Sequence, residues 1–163
     1  MHSTRLLTLI KLLAFLLILA SCQSNTNKSD LADMDLMKYG LPIKIKAPVD
    51  AQVEASDLGF VKDVTVKGDE NFYLQITGGM ATTTDSGKIK DEHLEEVRDN
   101  EFFDELLKEE DHGFIFRKKI TEELINHDFR FVRIQGDMEY IFQVGLIGNY
   151  SEKDVERMYN AVK

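Results

Sequence analysis

Val64-Thr-Val-Lys-Gly-Asp-Glu-Asn-Phe-Tyr-Leu-Gln-Ile76 decides the fold class. Val64 and Val66 alternate with polar residues before the Gly-Asp pair, and Phe72, Leu74 and Ile76 do so after it. Period-two alternation on both sides of turn residues is the pattern of a β-hairpin with one buried face. Residues paired across a hairpin share a face. Setting both apolar sets inward pairs Val66 with Phe72 and Val64 with Leu74. The loop then has an odd length, either Gly68-Asp69-Glu70 or two residues longer. A two-residue Gly-Asp turn would oppose Val66 to Asn71 and break the pattern.

The stretch returns 68 residues later as Val132-Arg-Ile-Gln-Gly-Asp-Met-Glu-Tyr-Ile-Phe-Gln-Val144, without a gap. Val64/Val132, Gly68/Gly136, Asp69/Asp137 and Gln75/Gln143 are identical, and the inward positions are like for like. The overlay predicts a duplicated β-β-β-α unit.

Working outward, residues 41–48 alternate strictly between two prolines and predict an edge strand with Ile43 and Ile45 inward. Residues 50–59 are polar and read as loop. Residues 60–67 and 72–77 are the first hairpin. Residues 78–87 carry three glycines and read as a flexible connection; they lack the lysine and spacing of a phosphate-binding loop. Residues 88–111 are helical in composition, with Leu94 and Val97 out of phase with Phe102, Phe103, Leu106 and Leu107. That phase break predicts a kink, or two short helices with the second capped by Asp99 or Asn100. Residues 113–120, 129–135 and 139–146 read as strands, and residues 121–128 as a loop or a single helical turn. Ser151-Glu-Lys-Asp154 opens a last helix with the stripe Val155, Met158, Tyr159 and Val162. The sum is an α+β fold, a mainly antiparallel sheet of about six strands with helices on one face.

The chain begins differently. Arg5 and Lys11 precede an unbroken apolar run over residues 12–20, followed by Ser21 and the single cysteine, Cys22. Basic, apolar and small-residue zones in that order are the layout of a secretory signal peptide. The run is too short to span a bilayer, which takes about 20 residues. Leu19-Ala20-Ser21-Cys22 resembles the lipobox of bacterial lipoproteins. The resemblance implies cleavage before Cys22, a diacylglycerol on its sulfur and a further acyl chain, such as palmitate, on its amino group. It implies an anchor in the cell envelope, and Gln23, in place of an acidic retention residue, implies the outer membrane. The layout of the mature domain is also similar to that of small Bacteroidota lipoproteins. The expected organisation is a signal peptide over 1–21, a lipid anchor and flexible tether over 22–37, and one α+β domain over 38–163.

After residue 21 the remaining 18 basic and 29 acidic residues leave a net charge of −11. That balance argues against nucleic acid and against an anionic membrane surface as partners. A lipidated Cys22 leaves no thiol for disulfides, nucleophilic catalysis or metal binding. His93, His112 and His127 lack metal-ligand spacing, and no Gly-x-Ser-x-Gly is present. Eleven acidic residues between Asp91 and Asp111 lack the alternating oxygen ligands of a calcium loop and read as a solvated face. The reading therefore expects no catalytic residue, metal or cofactor. The sheet face opposite the core is expected to carry Thr65, Tyr73, Gln75, Thr77, Phe131, Arg133, Ile141 and Gln143. Of these, Thr65, Tyr73, Gln75, Arg133 and Gln143 form the candidate binding face. The expected function is a lipid-anchored module that binds or scaffolds an envelope protein or polymer. Two alternatives are a small hydrolase using carboxylates and a histidine, and a carrier of lipid or small ligands.

Overall fold

The computed structural model describes residues 31–69 and 71–163. The expected signal peptide over 1–21, and residues 22–30 with the expected lipid anchor Cys22, lie outside the described residues. The chain runs β1 (Leu31–Asp35), β2 (Lys44–Pro48), β3 (Gln52–Asp57), β4 (Val61–Lys67) and β5 (Tyr73–Met80). Helix α1 (Ser86–Arg98) and strands β6 (Phe103–Glu110), β7 (Gly113–Lys119), β8 (Ile125–Gln135) and β9 (Met138–Val144) follow. Helix α2 (Glu152–Val162) ends the fold. Strands β3 to β9 form one antiparallel sheet in the order β3-β4-β5-β9-β8-β7-β6, and β1-β2 form a separate hairpin. The α+β class with a mainly antiparallel sheet holds. The large sheet has seven strands rather than six.

Strand β1 occupies part of the stretch expected to be tether. Its sequence, Leu-Ala-Asp-Met-Asp, does not alternate, but it pairs along its length with β2, from Leu31 opposite Pro48 to Asp35 opposite Lys44, and Leu31 and Met34 pack on the core. Leu36, just after it, is fully buried. Strand β3 was likewise expected to be loop. It pairs with β4 through the backbone while its side chains stay mostly exposed, so hydrophobic periodicity cannot reveal it.

The first hairpin takes the longer of the two loops. Val66 pairs with Leu74 and Val64 with Ile76, not with Phe72 and Leu74. The chain reverses between Gly68, whose N–H donates to Phe72 O (2.8 Å), and Phe72, with Asn71 left-handed at φ 60°. The inward set is as expected: Val64, Val66, Phe72, Leu74 and Ile76 are all buried.

The second hairpin closes differently. Gln135 pairs with Met138 around a two-residue Gly136-Asp137 turn, Gly136 having φ 62°. A glycine at the first of two turn residues suits a type II′ hairpin. The parity change moves every β8 side chain to the other face relative to the overlay. Arg133 therefore pairs with Tyr140, and Phe131 with Phe142, on the side of the main core.

The helices lie on opposite faces, not on one. Helix α2 brings Val155, Met158 and Tyr159 into the cluster containing Ile115, Phe129, Phe131 and Phe142. Helix α1 packs Leu94 and Val97 on Phe114 and Phe116. Gly113-Phe-Ile-Phe116 is apolar without alternation, so β7 is buried on both sides and can carry a helix on each. Helix α2 starts with the expected capping box, Ser151 Oγ accepting from the Asp154 N–H and Asp154 from the Ser151 N–H.

The β1-β2 hairpin covers the rest of the α2-side face. Leu41, Ile43, Ile45 and Ala47 join the main core. A Cβ on Gly78 would lie 2.9 Å from Leu41 Cδ2, so the glycine admits the hairpin, and β5 runs on through residues read as loop. The fully buried Tyr140 lies beside Gly78, and its hydroxyl has no hydrogen-bond partner among the described residues. An unmatched buried hydroxyl costs about 1–3 kcal/mol. Tyr140→Phe should therefore be at least as stable as the parent in equilibrium urea unfolding; a clear loss would show that the hydroxyl is matched.

The second helical turn expected near residues 102–107 is strand β6. Register shifts fall between Phe103 and Glu105 and between Leu106 and Lys108. Each adds a residue, so Phe103 and Leu106 face α1 at a spacing of three. In sequence that spacing imitates a helix.

Candidate functional site

The face that α1 occupies is only half covered. Over β3, β4, β5 and β9 no helix of the described residues packs on it, and here the candidate binding residues meet. The register sets Glu54 opposite Thr65, Thr65 opposite Gln75, and Gln75 opposite Gln143, one row across four strands. Gln143 Nε2 donates to Gln75 Oε1 (3.1 Å), and Gln75 Nε2 to Asp63 Oδ2 (2.8 Å). Thr77 Oγ1 also reaches Asp63 Oδ2 (3.5 Å). Tyr73 ends the face, with Lys67 Nζ 5.6 Å from its ring centre. Thr65, Tyr73, Gln75 and Gln143 thus share one half-buried surface. Asp63 belongs with them; its place opposite Thr77 in a strand made it findable from the first hairpin.

Arg133 does not belong to that face. Its Nη1 donates to Lys44 O (3.0 Å), its Nη2 to Val162 O at the end of α2, and its guanidinium stacks 5.3 Å from the Phe142 ring centre. It fastens the β1-β2 hairpin and the helix C-terminus to the sheet, where a cation suits the exposed carbonyls. Burial lowers its pKa from the usual value. Phe131 is also on the core side, edge-on to Phe142 and Tyr159.

Beside the open half-face, under α1, lies a cavity of about 220 Å³ bordered by Glu96, Asn100, Phe103, Lys118, Asp128 and Arg130. Asp128, only 6 % exposed, is its anchor. Its Oδ1 accepts from the Phe129 N–H (2.8 Å), Arg130 Nη1 (3.0 Å) and the Val144 N–H (3.3 Å), and its Oδ2 from Lys118 Nζ (2.9 Å). The carboxylate therefore closes β8 onto β9 where their regular pairing stops. Sequence reading missed it, since a lone Asp in a polar stretch carries no signal of burial.

None of the histidines among the described residues is hydrogen-bonded to a buried carboxylate. His93 Nδ1 lies 2.9 Å from Glu96 Oε2 on the outer side of α1. His127 Nδ1 lies 3.0 Å from Tyr150 O, so this nitrogen carries the proton, because a carbonyl only accepts. His112 Nδ1 lies 2.8 Å from Ser86 Oγ at the start of α1, in an open depression with Asp85, Asp91 and Asp111. No hydrogen bond among the described residues joins His112 to a carboxylate. Nor do three or more His, Cys, Asp or Glu side chains converge as a metal site among them.

The sharpest electrostatic feature is elsewhere. Glu110 receives Lys163, Lys108 and the Tyr159 hydroxyl, and these hydrogen bonds hold its pKa down at about 2. Burial, and then the Glu110 hydrogen bond, raise Tyr159 above the usual phenol value. A depressed carboxylate stabilises the fold above its unfolded pKa of 4.5, and that contribution fades as pH falls toward about 2. The urea midpoint of the parent should therefore drop over this window more than that of Glu110→Gln. Parallel curves would show that Glu110 adds nothing.

No protein-family model, no curated protein and no solved structure matches this chain.

Proposed function

We propose that the chain is a lipid-anchored envelope protein whose domain binds an envelope protein or polymer and catalyses nothing. The observation that carries the binding role is the half of the sheet over β3, β4, β5 and β9 that no helix among the described residues covers. It combines an aromatic ring, two amides, a hydroxyl and a carboxylate on a rigid scaffold. Amphipathic groups of this kind, half-buried and held by neighbours, bind at little entropic cost. The anchor reading rests on Leu19-Ala20-Ser21-Cys22, and triacylation would make attachment stable. Radiolabelled palmitate should enter the parent but not Cys22→Ala; an unlabelled parent sinks the anchor. A photo-crosslinking residue at Thr65 should trap a discrete partner in the native envelope, and Gln75→Arg should abolish the adduct. No adduct, or one indifferent to Gln75→Arg, removes the binding face.

A small hydrolase is the second reading, favoured by the Ser86–His112 contact. Serine catalysis needs the histidine oriented from behind, usually by a carboxylate. Unchanged hydrolysis of ester and cell-wall substrates by Ser86→Ala would end it. The carrier reading needs a deep apolar cavity, and the space under α1 is small and charged at its border.

The duplicated β-β-β-α unit is a proposal about origin. Gln75 pairs with Gln143, its own counterpart in the overlay, where the two halves of the sheet join. The expected first strand, residues 41–48, lies outside the seven-stranded sheet as β2, with β3 in its place; this, the turn, the side of the helix and the extra strand β6 then count as later divergence. Relatives whose two halves resemble each other less than here would argue against it.

A further inference from the structure

We propose that the end of the sheet from which the chain runs back toward Cys22 is a membrane-resting rim. Val49, Leu146 and Ile147 would enter the interface of a zwitterionic bilayer. This rests on the lipid anchor proposed above.

Leu146 and Ile147 are each 81 % exposed, and Val49 is 77 % exposed. The register puts them at one end. Leu31 pairs with Pro48, and Pro48 packs where a Cβ on Gly68 would fall. Gly68 and Tyr73 flank the first hairpin loop, and Gly145 follows β9 at that end, its N–H donating to Tyr73 O (2.7 Å). The loop bearing the two aliphatic residues is held in place. Tyr150 Oη donates to Ile147 O (2.8 Å), and Asn126 Nδ2 to Gly148 O (3.1 Å). Adjacent large aliphatic side chains pointing into water from a fixed loop mark a contact surface.

Chain length favours the bilayer as the occupant. Cys22 precedes Leu31 by nine residues, a reach of at most about 30 Å. Leu58, Phe60 and Met80, exposed to a similar degree, lie at the opposite end of the sheet, so reach and not exposure separates the two ends. Strands of seven residues put that end about 24 Å further off. Bringing it to the membrane would consume most of the reach; the near end needs none of it. A tethered domain meets its own membrane at high effective concentration, so a few aliphatic side chains suffice to set its orientation. Asp50, Asp69, Glu122 and Glu123 occupy loops at the same end, which disfavours anionic lipid.

The test uses the full-length lipidated protein in phosphatidylcholine–phosphatidylethanolamine vesicles. An environment-sensitive fluorophore is placed on Ile147→Cys or on Phe60→Cys, each the sole free thiol beside a lipidated Cys22. Spin-labelled lipid should quench the probe at 147 at least about twofold more than at 60, as interfacial insertion requires. Equal quenching in protein that still sediments with vesicles, and does so only with Cys22 intact, overturns the rim and leaves the anchor. Protein that does not sediment, or that sediments equally as Cys22→Ala, overturns the anchor and the rim with it.

Discussion

Tyr159→Ala should lower the free energy of unfolding by about 3–5 kcal/mol, the usual cost of emptying a large aromatic site in a core. Tyr159 is fully buried on α2. It meets Phe129 and Phe131 edge-on, each with ring centres 5.7 Å apart. Its hydroxyl donates to Glu110 Oε2 (2.9 Å), tying the helix to the β6-β7 end of the sheet. Tyr159→Phe keeps the ring and loses only that bond, so it should cost about 1 kcal/mol. Equilibrium urea unfolding of both variants separates packing from polarity. A shift for Tyr159→Ala no larger than that for Tyr159→Phe would mean that α2 is not anchored through this ring.

Asp128→Ala should cost a similar amount, about 3–5 kcal/mol, for a different reason. Removing the carboxylate leaves Lys118 and Arg130 facing each other across the cavity under α1, and strips the Phe129 and Val144 N–H groups of an acceptor. Asp128→Asn retains an oxygen for those backbone donors but not the charge, so it should fall between parent and alanine. Because the carboxylate is buried, added salt should change the difference little. An Asp128→Ala variant within about 1 kcal/mol of the parent would contradict a structural role for this ion cluster.

The hairpins, the last helix with its capping box and the α+β class could be read from the sequence, because each has its own periodicity or cap chemistry. Other features had no such signal. The two Gly-Asp pairs look alike, yet one lies in a five-residue reversal and the other is a whole two-residue turn. Nothing in those dipeptides selects between them, and the choice sends Arg133 to the opposite side of the sheet. Strand β6 hid behind two bulges that gave its apolar residues a helical spacing. Strands β1 and β3 keep mostly exposed side chains, with only Leu31, Met34 and Val53 packed against the core, which leaves no periodic pattern to read. Four of the five residues expected on the binding face do share a surface, because they lie on β4, β5 and β9, where the alternation was read correctly. Asp128 was invisible because its burial depends on Lys118 and Arg130 closing over it.

The outer strands of the seven-stranded sheet also bear on self-association. Strand β6 presents Asp104, Glu105, Lys108, Glu109 and Glu110 and is broken in two places by register shifts. At the other border, β3 is six residues long and carries Glu54 and Asp57. Charge, brevity and bulges make poor templates for intermolecular strand addition. Copies crowded together at high concentration, as on a membrane, therefore meet two borders that resist fusing their sheets into a fibre.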